Sequence, residues 1–177
     1  MLLPRGAYSL AEAEMGEVVV GRLQEGKLGY DYTWGKCSTL WRDKEEREKL
    51  SPGKFGIWTG KITECMVVCA AYYSKGAWRQ FWFQHVPGGE RKDILDAIEE
   101  GLGHCPEKTQ RYAVVAARYP TGTDELSKDL MRIGLLAENV KIYVTSNAGF
   151  AFGLNFLDDV FGEVTSKGDQ LPEDYRW

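Results

Sequence analysis

Three residues in one stretch, "TGKITECMVVCAAYYSKGAWRQFWFQHVPGG" (59–89), have the types and spacing for thiol chemistry: Thr59, Cys65 and His85. The stretch reads as two apolar strands, 64–73 and 77–86, around a tight turn at Ser74, Lys75 and Gly76. Alternation places Cys65, Val67, Cys69 and Ala71 on one face of the first strand, and Phe81, Phe83 and His85 on one face of the second. If the strands pair about that turn, residues whose numbers sum to about 150 lie opposite each other, so Cys65 meets His85 at the open end. A thiol attacks well only as thiolate. A neighbouring imidazole can take its proton and later return it to a leaving amine, provided a third group orients the ring. The same residues also admit a structural reading, since buried cysteine usually serves as a small hydrophobe.

Other candidates carry less. Cys69 shares the face of Cys65 but lies deeper along the strand, where packing explains it. His104, in "LGHCPE" after a helix, reads as a surface or capping histidine. Ser146 and Asn147 fall in a turn that local hydrogen bonding accounts for, with substrate contact as the sharper reading. The four cysteines, 37, 65, 69 and 105, have no zinc spacing, so the expectation is no metal and no cofactor, with free thiols in a reducing compartment.

The elements that must position these residues follow from the rest of the chain. Its 177 residues suffice for one domain with a sizeable core, and the 44% hydrophobic and 27% charged shares are those of an ordinary globular protein. A formal net charge of −4 without a basic run argues against nucleic-acid binding. "MLLPRGAYSL" lacks the apolar core of a signal peptide and no segment has the length of a membrane span. The expectation is a cytoplasmic protein, or an effector secreted without a visible signal, with no membrane insertion; oligomeric state is left open. "GEVVVGRL" (16–23) is a first strand, and residues 24–56 form a long excursion rich in Gly, aromatics and charge, with a short helix around "DKEEREKL". After the central hairpin come a helix over 89–103, a strand "RYAVVAARY", a helix "TDELSKDLMRIGLL" with Thr123 as its cap, a strand "VKIYVTS", and a final hairpin around Asp158 and Asp159. That order predicts an α/β layered sandwich with a mixed, largely antiparallel sheet and helices packed on one side.

One family shares these features. Thr59 six residues before Cys65, the run "CMVVCAAYY", and "FQHVPGG" closing the next strand resemble the signature of the CheD chemotaxis-receptor glutamine deamidases, whose fold recurs in the cytotoxic necrotizing factor toxins. The tail "VKIYVTSNAGFAFGLNFLDDVFGEVTSKG" resembles the closing strand, Gly-rich turn and final hairpin of that family. The likeness covers roughly residues 57–168. The Gly-Ser usual before the cysteine is Thr63-Glu64 here, a Gly/Asn-rich motif after the middle strand is reduced to "ARYPTGTD", and the excursion at 24–56 has no counterpart.

The resemblance implies a single deamidase domain over 1–177. In it Cys65 is the nucleophile, His85 the base and acid, and Thr59 the group that orients the imidazole. The partner it implies is a protein presenting an exposed glutamine, with no cofactor; Glu64 beside the cysteine, and Ser146 and Asn147 in their turn, are candidate substrate contacts by their positions in the sequence, not by the resemblance. A catalytically inactive adaptor of the same fold, or a transglutaminase or cysteine peptidase using the same pair, remain the other readings.

Overall fold

The computed structural model describes residues 10–26, 29–35, 51 and 53–164. The helix expected around "DKEEREKL", together with Cys37 and Trp41, lies outside the described residues. Among those described there are two sheets and two α-helices. A four-stranded sheet has the order β1-β4-β9-β10, with β1 Ala11–Glu12, β4 Gly56–Ile62, β9 Phe150–Asn155 and β10 Val160–Val164. A six-stranded sheet has the order β3-β2-β6-β5-β7-β8. Its strands are β2 Val18–Leu23, β3 Tyr30–Trp34, β5 Met66–Ser74, β6 Ala77–Val86, β7 Arg111–Ala117 and β8 Val140–Val144. Most pairings are antiparallel; β1 runs parallel to β4, and β8 parallel to β7.

The central strands of the larger sheet are largely apolar on both faces because both faces are covered there. From β5, Val67, Cys69 and Ala71 point into the core shared with the smaller sheet, among Ile57, Phe83, Phe152 and Leu154. The alternate residues Val68 and Ala70 pack with Trp82 and Val86 beneath Ile94 and Ile98 of helix α1 (Lys92–Leu102) and Leu126 and Leu130 of helix α2 (Pro120–Arg132). A strand buried on both sides reads as a near-continuous hydrophobic run, as "MVVCAAYY" does. The result is the expected layered α/β sandwich, with both helices on the face of the larger sheet turned away from the smaller one.

Three local details differ from expectation. The 24–56 excursion contributes strand β3, whose Tyr30 and Tyr32 meet Phe81 edge to face, so this part of it belongs to the inter-sheet core. Helix α2 begins at Pro120 rather than after Thr123. Proline fits the first helical position, and Thr123 instead donates its hydroxyl to Pro120 O at 2.6 Å within the first turn. Finally, β4 is a seven-residue strand that local alternation does not announce. No helix among the described residues is long and apolar enough to cross a membrane.

Candidate functional site

Thr59 takes its inward position from strand alternation and is followed at once by a bulge. Along β4, Ile57 and Thr59 face the other sheet, and simple alternation would turn Lys61 inward next. Thr59 pairs with Phe152 and Ile62 with Phe150, so one extra residue is accommodated there. Lys61 takes a left-handed conformation (φ 58°), which sends its side chain to solvent and returns Ile62 to the core. Thr59, on the inward face with Ile57, is 1% exposed, a hydroxyl held in an apolar layer.

His85 arrives from the opposite side. It stands near the end of β6, on the face that Phe81 and Phe83 line, and is 2% exposed. Its Nδ1 lies 2.9 Å from Thr59 Oγ1, a hydrogen bond that joins the two sheets. Burial penalises the charged ring and lowers its pKa from 6.5 to about 4. The imidazole is therefore neutral near pH 7, with one nitrogen engaged by Thr59. Nε2 is buried and has no hydrogen-bond partner among the described residues. Native proteins seldom leave such an atom unpaired without a reason.

Cys65 is not where the spacing put it. The ladder sets Val67, not Cys65, opposite His85, and Met66 opposite Val86. Two one-residue steps cause this. The turn uses only Lys75 and Gly76, both left-handed (φ 51° and 80°), so Ser74 pairs with Ala77. A bulge then leaves Arg79 as the extra residue between Trp78, opposite Tyr73, and Gln80, opposite Tyr72. Together they shift the register by an even number, so every side chain keeps its expected face while Cys65 moves one residue beyond the strand. It sits half-buried in the short connection from β4 to β5, where the chain passes from one sheet to the other, and is not the cross-strand partner of His85. Its Sγ contacts Met15 Sδ at 3.7 Å, and no hydrogen bond links it to the imidazole.

The residues that alternation missed lie on an N-terminal strap. After pairing with β4, the chain turns through 13–17 and enters β2, which pairs with β6 from Val18 opposite Gln84. Ala13 N donates to Trp58 O at 2.8 Å, Gly16 N to His85 O at 2.9 Å, and Gln84 Nε2 to Gly16 O at 3.1 Å. Gly16 has φ 90°, which favours glycine. The only sequence signal here was the glycine before "EVVV".

Of the remaining candidates, Glu64 is exposed in the same connection as Cys65. Ser146 and Asn147 are exposed in the β8–β9 loop; Asn147 N donates to Thr145 Oγ1 at 3.3 Å and its amide to Glu163 Oε1 at 3.1 Å. Cys69 is fully buried, and burial pushes its thiol pKa well up, as expected of a packing residue. His104 is exposed. No cluster of three or more His, Cys, Asp and Glu able to hold a metal ion occurs among the described residues.

No family model matches the chain, and no curated protein matches it. Among solved structures, the Bacillus licheniformis hypothetical protein YfiH aligns at 9% identity with a TM-score of 0.37, over 58% of this chain and 54% of that one. The chain thus spans about half the length of that protein, a likeness too slight to carry an argument about either fold or activity.

Proposed function

We propose that the protein is a cysteine-dependent amidohydrolase that converts a glutamine side chain of a partner protein to glutamate, with Cys65 as nucleophile, His85 as base and acid, and Thr59 as the residue that orients the ring. The observation that carries this reading is the inter-sheet bond from Thr59 Oγ1 to His85 Nδ1, which leaves a neutral imidazole with its second nitrogen unclaimed. When Nδ1–H donates to Thr59, the lone pair resides on Nε2, the form a general base requires. The mechanism requires the Cys65 side chain to turn from Met15 toward Nε2. Nε2 takes the thiol proton as sulfur bonds to the carboxamide carbon, and the Cys65 backbone N–H receives the oxyanion. Collapse breaks the C–N bond, the imidazolium proton leaves with ammonia, and a water activated by Nε2 cleaves the thioester to glutamate and free thiol.

The resting contact of Cys65 with Met15 favours a second reading, an inactive adaptor that keeps the fold and binds through exposed loops. One experiment separates them. Purified protein incubated with candidate partner proteins should release ammonia and convert a glutamine to glutamate by mass spectrometry. Cys65→Ala should lower the rate by roughly 10⁴-fold or more while remaining folded, because only the nucleophile is lost. Conversion that persists unchanged in Cys65→Ala removes the assignment, and incorporation of an added amine in place of water would make the protein a transglutaminase.

A further inference from the structure

We infer that Met15 is a specificity-determining residue, which narrows access to Cys65 so that a slender, unbranched side chain reaches the thiol and an extended backbone does not. The inference rests on the reading of Cys65 as nucleophile and adds a reason for side-chain amides as substrates. The thioether lies 3.7 Å from Cys65 Sγ and is itself 38% exposed, so it forms part of the protein surface directly beside the thiol. The backbone beneath it is tied down at both ends. Ala13 is bonded to Trp58 on β4, Gly16 to His85 on β6, and Gln84 returns a bond to Gly16 O. Within the turn, Glu14 N donates to Glu17 Oε1 at 2.7 Å. β1 and β2, on either side, are paired into different sheets. A strap so held does not swing clear without breaking ladder bonds, which leaves the unbranched side chain of Met15 as the movable part.

A peptidase must lay extended chain on both sides of its nucleophile, which calls for an open groove. Here the strap is bonded through Gly16 N to His85 O, its Met15 touches the thiol, and His85 itself is almost wholly enclosed. The two methylenes and terminal amide of glutamine are slender enough to pass beside a thioether, and the apolar side chain of Met15 suits those methylenes.

The test reads access rather than turnover. Full-length protein is alkylated with iodoacetamide, a small reagent, and with N-(1-pyrenyl)maleimide, a bulky one, and peptide mapping assigns the rates to Cys65. Met15→Ala should raise the rate with the bulky reagent about tenfold and the iodoacetamide rate by less than about twofold, a tenfold change being readily resolved. Met15→Leu, which conserves volume, should keep the parent ratio. Met15→Phe should slow both reagents, which keeps the test decisive if the alanine variant folds poorly. An unchanged ratio in Met15→Ala, or equal gains in the alanine and leucine variants, overturns the inference. Absence of ammonia release from every variant would instead count against amide hydrolysis and leave the access result standing.

Discussion

The two ends of the six-stranded sheet treat a buried polar side chain in opposite ways. At the end near the β5–β6 turn, Arg111 opens β7 and is 8% exposed. Its Nε donates to Cys105 O at 3.1 Å, Nη1 to Gly134 O at 3.1 Å, and Nη2 to Leu102 O at 2.9 Å and to Cys105 O at 2.8 Å. These carbonyls lie at and after the C-terminal ends of both helices, where backbone oxygens lack intrahelical donors and cations are favoured. At the other end His85 is at least as deeply buried, yet among the described residues only Nδ1 finds a partner. The thiols repeat the contrast, with Cys69 sealed in the core and Cys65 half-exposed at the mouth. A buried group whose bonding capacity is used up holds a fold together. One kept with a vacant position costs stability and retains the capacity for chemistry.

Substitutions at the two ends sharpen that comparison. The largest effect on stability is expected at Arg111. Arg111→Met takes the guanidinium donors from three carbonyls, of which Leu102 O keeps the Cys105 N–H, and should cost about 4 kcal/mol of unfolding free energy in urea titrations, with alkylation of Cys65 in the folded fraction unaltered. A loss below about 1 kcal/mol would mean the clamp is dispensable.

The next concerns pH. The folded pKa of His85, about 4, lies below the ordinary 6.5, so between these values the unfolded chain binds the extra proton and the native protein does not. Stability from this group is complete above pH 6.5 and falls as pH drops through about 4, by up to about 3 kcal/mol over the window. His85→Gln should flatten that slope. Identical slopes for parent and variant between pH 6.5 and 4 would contradict a buried neutral imidazole.

The smallest effect is expected at Thr59. Thr59→Val keeps the shape but removes the partner of Nδ1, and should lower kcat about tenfold with KM little changed, while Thr59→Ser restores most of it. Equal turnover in the valine variant would leave Thr59 a core residue with no part in orienting the ring.

Local pattern alone determined much of this protein. The apolar run 66–73, bounded by a turn, read as a strand, the spacing of Ile94, Ile98 and Leu102 as an amphipathic helix, and strand alternation put His85 on the face of Phe81 and Phe83. Parity survives register error in even steps, which is why the shared face was legible although the partner of His85 was not. What tertiary structure decided were the meetings between residues far apart in the chain. Whether β4 joins the other sheet, and so presents Thr59 to His85 across 26 positions, depends on pairing with β9, almost a hundred residues later. The Met15 contact with Cys65 spans 50 positions and requires β1 and β2 to dock on different sheets. Periodicity encodes which face a residue takes. Bulges, turn lengths and long-range strand pairing, whose energies depend on the assembled core, choose what that face meets.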